Sequence, residues 1–385
     1  MWIHEHKDWP RFTWDAEAIS SKLANLRYAQ GHLLGQMEIL GFELRRETSL
    51  RTLTNDVVKS SAIEGETLNP EEVRSSIARR LGMDIAGLIP VSRDIEGIVE
   101  MMLDATQGFS TPLTKDRLFN WHAALFPTGR SGINRIKVGE WRTLDVEPMQ
   151  VVSGPIGREK VHFEAPCSNR LEKEMQQFLD WFNNKHDIDS VLKAGIAHLW
   201  FVTIHPFEDG NGRIARAIGD MALARADSTP SRSYSLSSQI EIERKYYYEH
   251  LEKQQRSKPD ITGWLEWFLG CLGRAISSSG TSLSNVIFKA QLWNKINLKP
   301  VNERQRLIIN RMLEDNFKGY INTSKYAKIT KCSNDTALRD IQYLRDRGIL
   351  IQNMGGGRST SYRLCASLTL VTSDVEGRCC SNQEE

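Results

Sequence analysis

The run from His205 to Arg216 (HPFEDGNGRIAR) places several chemically active side chains within one short stretch. His205 has an ordinary pKa near neutrality, so its imidazole can take a proton from a hydroxyl group. Asp209 offers a carboxylate oxygen, the kind of ligand that magnesium prefers. Arg213 and Arg216, three residues apart, share one face of a helix and can bind phosphate oxygens. These residue types in this order indicate a site that handles phosphate groups.

Two predicted helices flank this run and must position it. Residues 192–204 are apolar on nearly every side, which is typical of a helix buried all round. Residues 214–226 are rich in Ala, Leu, Met and Arg, which are good helix formers. Residues 210–212 open the second helix, where free backbone N–H groups and the helix dipole point to one place. Because phosphate is the commonest anion at such helix ends, we expect an anion site there.

Each feature also has an ordinary structural interpretation when it is taken alone. A histidine beside an apolar helix is usually a core residue, a Gly-x-Gly is usually a turn, and two arginines three apart usually form a solvated face. The combination in one order within one run favours the functional interpretation.

The run resembles the signature of the Fic family, H-P-F-x-D/E-G-N-G-R-x-x-R, and matches it at every defined position. Members of that family mostly transfer AMP from ATP to a hydroxyl side chain of a target protein. The resemblance implies that His205 is the base toward a Ser, Thr or Tyr hydroxyl and that Asp209 holds Mg²⁺. It places Gly210, Asn211 and Gly212 at the α- and β-phosphates, and Arg213 and Arg216 at the outer phosphates. The ATP-binding residues implied in this run are Gly210, Asn211, Gly212, Arg213, Ile214, Ala215 and Arg216.

A second motif lies upstream, where Ser60-x-x-x-Glu64-Gly65 is similar to the inhibitory pattern S/T-x-x-x-E-G/N of Fic proteins. The resemblance implies that Glu64 pairs with Arg216, so that ATP binds weakly or out of alignment. This arrangement is the class with an N-terminal inhibitory helix, predicted here over residues 50–65. Glu66 is a competitor for the role of Glu64, with a less suitable spacing. The ordinary alternative is a solvated glutamate at a helix end.

Residues 149–163 contain β-branched and aromatic residues around glycine and proline, which predicts a short hairpin. In Fic proteins a hairpin here, the flap, covers the active site and adds a strand to the target's backbone. The resemblance implies that Val152, Ser153 and Gly154 of the flap contact ATP, and the alternative is an ordinary surface hairpin. It also places Tyr247 beside the nucleotide base and Gln255 as a polar contact to that base.

Composition limits the class of protein. The chain has 385 residues, 40% of them hydrophobic, which is enough for a large core and two or three domains. A net charge of +2 and a pI near 8.1 predict no global attraction to nucleic acid or membranes. The sequence has neither a run of about 18 apolar residues nor a signal-peptide pattern. We therefore expect a cytoplasmic protein. The six cysteines lack the spacing of a zinc site, and we expect them to be reduced thiols.

The fold class predicted is mostly α: a helical Fic core with a small β-hairpin flap and a C-terminal winged helix-turn-helix. An early helix is predicted from Ala16 to about Arg46, and Trp2, Trp9 and Trp14 before it are predicted packing anchors. The predicted divisions are a helical module at 1–48, the Fic core at 49–275, a linker or connecting helix at 276–299, a winged helix at 300–365 and a disordered tail at 366–385.

The winged-helix prediction rests on pattern and charge. Thr323 and Ser333 are predicted helix caps, and two short strands follow the second capped helix. Residues 301–365 carry 12 Lys and Arg against 6 Asp and Glu, so this module is at +6 while the remainder is at −4. Local basicity of this kind is typical of contact with a phosphate backbone. The candidate DNA-binding residues are Asn334, Thr336, Arg339 and Arg358. Docking of a protein and dimerisation are the alternatives for this module.

The sequence therefore favours a self-inhibited protein adenylyltransferase that uses MgATP, forms a homodimer and has no membrane association. Modification of its own tyrosine or serine residues is a further expectation. A DNA-binding regulator with a nucleotide-sensing Fic core is the alternative from another class. Removal of AMP from a modified protein, with Glu64 positioning the attacking water, is the alternative among enzymes.

Overall fold

The computed structural model describes residues 1–83, 87–143, 148–155, 157–297, 301–313, 317, 319–353 and 360–365. Within these ranges the chain forms fourteen α-helices and three two-stranded antiparallel sheets, which confirms the mostly helical fold class. Two compact units are present, Met1–Thr281 and Ser282–Glu385. The division falls a few residues after the predicted end of the core at 275. No helix among the described residues is both long and apolar enough to cross a lipid bilayer.

The described residues of the first unit form ten complete helices and the start of an eleventh. They are α1 (Ala16–Ile39), α2 (Phe42–Ile63), α3 (Pro70–Arg80), α4 (Arg93–Gln107), α5 (Lys115–Leu125), α6 (Leu171–Asn183), α7 (Ser190–Ile204), α8 (Asn211–Asp227), α9 (Leu236–Ile242), α10 (Arg244–Gln255) and α11 (Thr262–Asn297). Two 3-10 helices, Ile3–Glu5 and Ser168–Arg170, complete the set. The predicted linker at 276–299 is therefore helical up to Asn297, one of the two forms left open by the sequence.

The helical pattern predicted from Ala16 to about Arg46 is present but is divided between two helices, because the chain breaks between α1 and α2. Leu40 is extended with φ −67° and ψ 138°, and Gly41 is the N-cap of α2. Residue 48, the predicted end of the N-terminal module, consequently lies inside α2. The apolar spacing continues across the break, which is why periodicity alone did not reveal it.

The core of the first unit is built around α7 and α8, which pack along each other. Asp189 caps α7 by accepting a hydrogen bond from Val191 N at 2.8 Å, and thirteen residues of α7 are buried. Its nearly continuous apolar sequence matches that burial. α6 packs on α7, α4 packs on α8, and α2 packs on α9 and α3. The loop between α7 and α8 is therefore held by two helices that are themselves buried.

Two small sheets belong to the first unit. β1 (Arg130–Ser131) pairs with β2 (Asn134–Arg135), and β3 (Gln150–Ser153) pairs with β4 (Lys160–Glu164). The register of the second sheet shifts between Val151 and Val152, as in a β-bulge. The predicted hairpin over residues 149–163 is thus present.

The second unit contains α12 (Glu303–Met312), α13 (Thr323–Thr330), α14 (Asn334–Asp346), β5 (Leu350–Gln352) and β6 (Tyr362–Leu364). A separate apolar core joins these elements through Ile308, Tyr326, Ile341, Leu344 and Leu350. Ser333 caps α14 as predicted, with its hydroxyl accepting from Thr336 N at 3.3 Å. The predicted Thr323 cap is wrong, because Asn322 caps α13 by accepting from Lys325 N at 2.8 Å. Residues 354–359 and 366–385, which include Arg358 and the predicted tail, lie outside the described residues.

Candidate functional site

His205 ends α7 in the left-handed region, with φ at 52°, and begins the loop to α8. Its Nδ1 lies 3.3 Å from Val202 O, so a proton on Nδ1 leaves Nε2 as the acceptor. Burial, with the charge of Arg142 in addition, lowers the pKa of His205 to about 4. The imidazole is therefore neutral near pH 7, the state that a general base needs. A non-glycine residue held at positive φ is typical of a functional site.

Asn211 closes the loop through its side chain. Its Oδ1 accepts from Phe207 N at 3.0 Å, and its Nδ2 donates to Phe207 O at 2.8 Å. Both the Asn211 and Phe207 side chains are buried. The side chain of Asn211 is therefore engaged within the loop, which leaves only its backbone N–H for a ligand.

Glu64 lies at the N-terminal end of α8, against Gly212. A Cβ placed on Gly212 would lie 2.1 Å from Glu64 Oε1, so any larger residue would displace this carboxylate. The N–H groups of the first turn of a helix have no acceptors within the helix, and the dipole there favours negative charge. The Glu64 carboxylate thus lies where the sequence predicted an anion.

Arg216 joins α8 to α2. Its Nη2 lies 2.8 Å from Glu64 Oε1 and 2.9 Å from Ser60 O, while its Nε donates to Ser60 Oγ at 2.9 Å. The Arg216 side chain is only 1% exposed, and its Nη1 has no hydrogen-bond partner among the described residues. Gly65 follows in the left-handed region, with φ at 88°, where α2 ends. The pairing predicted between Glu64 and Arg216 is present in the geometry.

Arg213 is paired as well, with the residue that the sequence left as a competitor. Its Nη1 lies 2.7 Å from Glu66 Oε2, and its guanidinium carbon lies 5.1 Å from the centre of the Phe126 ring. Arg213 is 4% exposed, and its Nε has no partner in the described part of the chain. Both arginines of the run are therefore buried and each faces a carboxylate.

Asp209 points its carboxylate at two donors. Oδ1 accepts from Gly210 N at 2.6 Å, and Oδ2 accepts from the hydroxyl of Ser131 in β1. No group of three His, Cys, Asp or Glu side chains is placed to hold a metal in the described ranges. A magnesium ion that is bound mainly through phosphate oxygens and waters needs only one or two protein carboxylates. The donor set at Asp209 fits that kind of ion, and it does not fit a metal held by the protein alone.

A cavity of about 490 Å³ opens beside the loop. It is lined by Glu64, Val151, Val152, Ser153, His162, Phe163, Val202, His205, Gly212, Arg244, Tyr247, Tyr248, Leu251, Glu252 and Gln255. The structure therefore brings the loop, the flap and α10 together around one space. Of the predicted ATP contacts away from the loop, Val152, Ser153, Tyr247 and Gln255 line it and Gly154 does not. Within the run, Ile214 and Ala215 are fully buried in α8, where their side chains cannot meet a ligand.

The two predicted base contacts, Tyr247 and Gln255, line this cavity and are buried. Tyr247 is 1% exposed, and its hydroxyl lies 2.9 Å from His198 Nε2. Gln255 is 5% exposed and donates to Thr203 Oγ1 at 3.4 Å. Burial raises the pKa of Tyr247 well above its ordinary value. A neutral phenol and an amide provide polar atoms in a mostly apolar wall, as is typical of sites for planar ligands.

Three residues that the sequence did not identify support the loop. Arg142 donates from Nε to His205 O at 2.8 Å and from its backbone N to Pro206 O at 2.9 Å. His122 stacks on Phe207, with the ring centres 4.1 Å apart. Tyr248 donates its hydroxyl to Glu64 Oε2 at 3.3 Å. Their distance along the chain, and their ordinary residue types, left no signal in a single sequence.

The candidate residues of the second unit lie at the start of α14. Asn334 and Arg339 are exposed. The hydroxyl of Thr336 lies 2.9 Å from the hydroxyl of Ser333, so it takes part in the helix cap. Of the three, Asn334 and Arg339 are therefore the ones open to a ligand.

The fold and site together define a helical protein with a loop between two buried helices, beside a cavity. Residues 112–223 match the Fic/DOC family, and residues 2–83 match the domain of unknown function DUF4172. Residues 112–223 are therefore the part of the chain that is similar to the Fic/DOC family. The match to DUF4172 includes α1, α2 and α3, and with them Glu64 and Glu66.

Curated relatives match part of the chain. The chain is 25% identical over 227 residues to "Protein adenylyltransferase Fic" of Nematostella vectensis, covering 58% of this chain and 47% of the relative. It is 23% identical over 253 residues to "Protein adenylyltransferase fic-1" of Caenorhabditis elegans, covering 63% and 46%. It is 29% identical over 178 residues to "Protein adenylyltransferase Fic" of Drosophila melanogaster, covering 45% and 33%. The chain thus spans about half or less of the length of these relatives.

Solved structures of Fic proteins are similar over larger shares of the chain. A Fic family protein from Desulfovibrio desulfuricans G20 is 22% identical with a TM-score of 0.49, covering 90% of this chain and 96% of that one. A Fic domain containing signaling protein from Bacteroides thetaiotaomicron VPI-5482 is 20% identical with a TM-score of 0.48, covering 69% and 97%.

Proposed function

We propose that this protein is a protein adenylyltransferase, which transfers AMP from MgATP to a Ser, Thr or Tyr hydroxyl of a target protein. The observation that carries the proposal is the position of neutral His205 beside a cavity of about 490 Å³ that is also lined by Gly212, at the N-terminal end of α8. The names of the curated relatives point to the same activity. Domain, loop and cavity together support the reaction better than any feature does alone.

In this proposal each group of the site has a separate role in the transfer reaction. His205 takes the proton of the attacking hydroxyl, and Arg142 holds its backbone in place. Backbone N–H groups at Gly212 and the α8 dipole bind phosphate oxygens. Arg213 and Arg216 balance negative charge on the departing pyrophosphate. Asp209 would hold Mg²⁺, which supplies charge neutralisation between phosphates.

We further propose that Glu64 inhibits the protein from within the chain. Its carboxylate lies at the helix end and on the guanidinium where phosphate oxygens would bind. ATP must displace this carboxylate, and the displacement breaks the Glu64–Arg216 ion pair. Tyr248 stabilises the inhibitory position through its hydrogen bond to Oε2.

The test uses ATP labelled at the α-phosphate, with magnesium and a cell lysate as the source of targets. Wild type, Glu64→Gly and His205→Ala are compared, together with Glu43→Gly at the exposed start of α2 as the matched control. We expect label on protein to rise in Glu64→Gly, to stay at the wild-type level in Glu43→Gly and to vanish in His205→Ala.

Absence of label from all of these proteins would contradict adenylyl transfer. In that case the proteins should be given adenylylated protein, and release of AMP that depends on Glu64 would identify removal of AMP instead. Equal label in wild type and Glu64→Gly would contradict the inhibitory role and leave the transfer reaction in place.

We propose DNA binding as a second function, located in the second unit. The net charge of +6 over residues 301–365 and the exposure of Asn334 and Arg339 on α14 support it. Each neutralised phosphate should contribute a slope of about −0.9 to a plot of log affinity against log salt. Binding of random duplex DNA that does not depend on salt, or that Arg339→Ala leaves unchanged, would argue for docking of a protein instead.

A further inference from the structure

The flap formed by β3 and β4 has little structure of its own. A two-stranded hairpin is marginally stable in water unless another element packs against it. All four residues of β3 are exposed, and Phe163 is the buried residue of β4, at 2% exposure. The position of the flap therefore depends on whatever packs against Phe163 and holds the outer residues.

The segment that packs against Phe163 comes from the start of the chain. The Trp2 ring meets Phe163 edge to face at 5.4 Å, and the His4 ring meets it edge to face at 5.8 Å. His4 Nε2 donates to Glu164 O at 2.8 Å, the next residue of the same strand. Burial lowers the pKa of His4, and the carbonyl acceptor Glu164 O requires the proton to be on Nε2. The rings of Trp2 and His4, called the aromatic floor below, and one backbone hydrogen bond thus hold β4.

Helix α10 and the residue that follows it, Arg256, also hold this strand. Arg256 lies over the Trp2 ring at 4.5 Å and donates to Val161 O at 2.6 Å. Glu252 Oε2 lies 2.6 Å from His162 Nδ1, and His162 Nε2 lies 2.6 Å from the hydroxyl of Ser153 in β3. This chain of contacts connects α10 to both strands.

We propose that Trp2 and His4, together with Glu252 and Arg256, are positioning residues that fix the flap over the nucleotide cavity. The DUF4172 region then acts on the cavity from two sides, with Glu64 and Glu66 at the helix end and Trp2 and His4 beneath the flap. The functional part rests on the proposed adenylyl transfer, in which the exposed edge of β3 aligns a segment of the target by strand addition. A flap that moves freely would misplace the hydroxyl relative to His205.

The first test measures the flap directly and does not depend on activity. Hydrogen exchange of the backbone amides is compared in wild type, Trp2→Ala, Trp2→Phe and Tyr28→Ala. Tyr28 is the matched control, an aromatic residue of the same region at 79% exposure. We expect amides of β3 and β4 to exchange about tenfold faster in Trp2→Ala, while those of α8 stay unchanged and Trp2→Phe restores most of the protection.

Flap exchange that is unchanged in Trp2→Ala would overturn the proposal. So would an increase that is equal in α8 and in the flap, because that pattern means a general loss of stability. Should Trp2→Ala fail to fold, Glu252→Gln is compared with Glu249→Gln, an exposed residue one turn earlier on α10 that pairs with Lys245. Faster flap exchange only in Glu252→Gln supports the proposal, and equal exchange in both overturns it.

The second test measures the consequence for the target. In the Glu64→Gly background, Trp2→Ala should reduce label on lysate proteins about tenfold, and its effect on ATP affinity should be much smaller. An equal loss of both would show that the floor supports nucleotide binding and not target alignment. If Glu64→Gly with intact Trp2 gives no label, the proposed adenylyl transfer fails, and hydrogen exchange still decides whether the floor positions the flap.

Discussion

Glu66 Oε2 lies 2.7 Å from Arg213 Nη1, so the Glu64–Arg216 ion pair has a neighbour of the same kind. The two carboxylates follow the end of α2, and the two arginines lie on the first turns of α8. Their environments differ, because the Glu66 side chain is 46% exposed and that of Glu64 is 30% exposed. Both arginines that could bind an incoming phosphate are thus paired with a carboxylate, and the Glu64–Arg216 pair is the less exposed of the two.

We predict that Glu66→Gln increases ATP affinity by a smaller factor than Glu64→Gln. An exposed ion pair contributes about 0–1 kcal/mol, which corresponds to roughly one- to fivefold in affinity for Glu66→Gln. Loss of the more buried, charge-assisted contact of Glu64 should increase affinity about tenfold or more. Calorimetric titration of ATP in magnesium checks both values. Equal effects of the two substitutions on ATP affinity would show that the exposure of a glutamate does not determine how strongly it opposes ATP binding.

We predict that Gly212→Ala destabilises the protein only while Glu64 is present. The new Cβ would lie 2.1 Å from Glu64 Oε1, so the carboxylate must move away from Arg216. Removing one partner of a buried, charged contact costs roughly 1–3 kcal/mol. Urea unfolding of wild type, Gly212→Ala, Glu64→Gly and the double variant measures the coupling directly. A cost of Gly212→Ala that persists in the Glu64→Gly background would mean that the helix backbone, and not the carboxylate, opposes the methyl group.

We predict that His122→Phe lowers transfer activity in the Glu64→Gly background by about tenfold or more, since a misplaced catalytic loop has effects of this size. Gly139 N donates to His122 Nδ1 at 3.2 Å, so Nε2 carries the proton toward Asp209 O, also at 3.2 Å. Burial lowers the pKa of His122 to about 4, which keeps this neutral form near pH 7. Phenylalanine keeps the stacking on Phe207 and removes both hydrogen bonds.

Steady-state kinetics of His122→Phe separates this role from general stability. His186, which is exposed, gives the matched control His186→Phe. Unchanged kcat in His122→Phe, or an equal loss in His186→Phe, would contradict a role of His122 in holding the loop.

We predict that Asp56→Asn removes a pH dependence of stability that originates on α2. Asp56 is fully buried and accepts a hydrogen bond from Ser235 Oγ at 2.5 Å. Its carboxylate lies 3.5 Å from Arg232 Nη2, which also pairs with Asp220 at 2.6 Å. Burial, followed by repulsion from Asp220, raises the pKa of Asp56. Asp56 keeps its proton in the folded state at pH values where the unfolded chain releases it. The stability that Asp56 contributes is therefore complete below its pKa in the unfolded chain. It is lost as the pH rises toward its pKa in the folded protein.

Urea unfolding across a range of about pH 6 to 9 measures this effect as the difference between wild type and Asp56→Asn. The variant should gain stability relative to wild type as pH rises, because asparagine has no proton to lose. A difference that is constant with pH would show that Asp56 is already ionised in the folded protein. Asp220→Asn should reduce the slope, since it removes the repelling carboxylate.

Local patterns made much of the fold and the loop predictable. Residues 205–216 form the loop and the first turns of α8, as predicted, because glycine and helix-end chemistry act within a few residues. The pairing of Glu64 with Arg216 could be predicted through a resemblance, since 152 positions separate the two and no spacing rule connects them.

Contacts set by packing could not be read from the sequence. The break at Leu40 interrupts an otherwise continuous helical pattern, and the separate roles of Glu64 and Glu66 depend on how α2 meets α8. Trp2 and Phe163 are in contact although 161 positions of the chain separate them. Trp2 was predicted to be a packing anchor, but its partner depends on the tertiary fold.

The paired hydrogen bonds of Asn211 with Phe207 imply that the loop between α7 and α8 is rigid before any ligand arrives. The amide of Asn211 satisfies a backbone donor and a backbone acceptor at once, so the loop is cross-linked by its own side chain. A ligand that meets such a preorganised loop loses little binding energy to ordering it. The slow or costly step of binding should then be the departure of Glu64, and the loop itself should look the same with and without nucleotide.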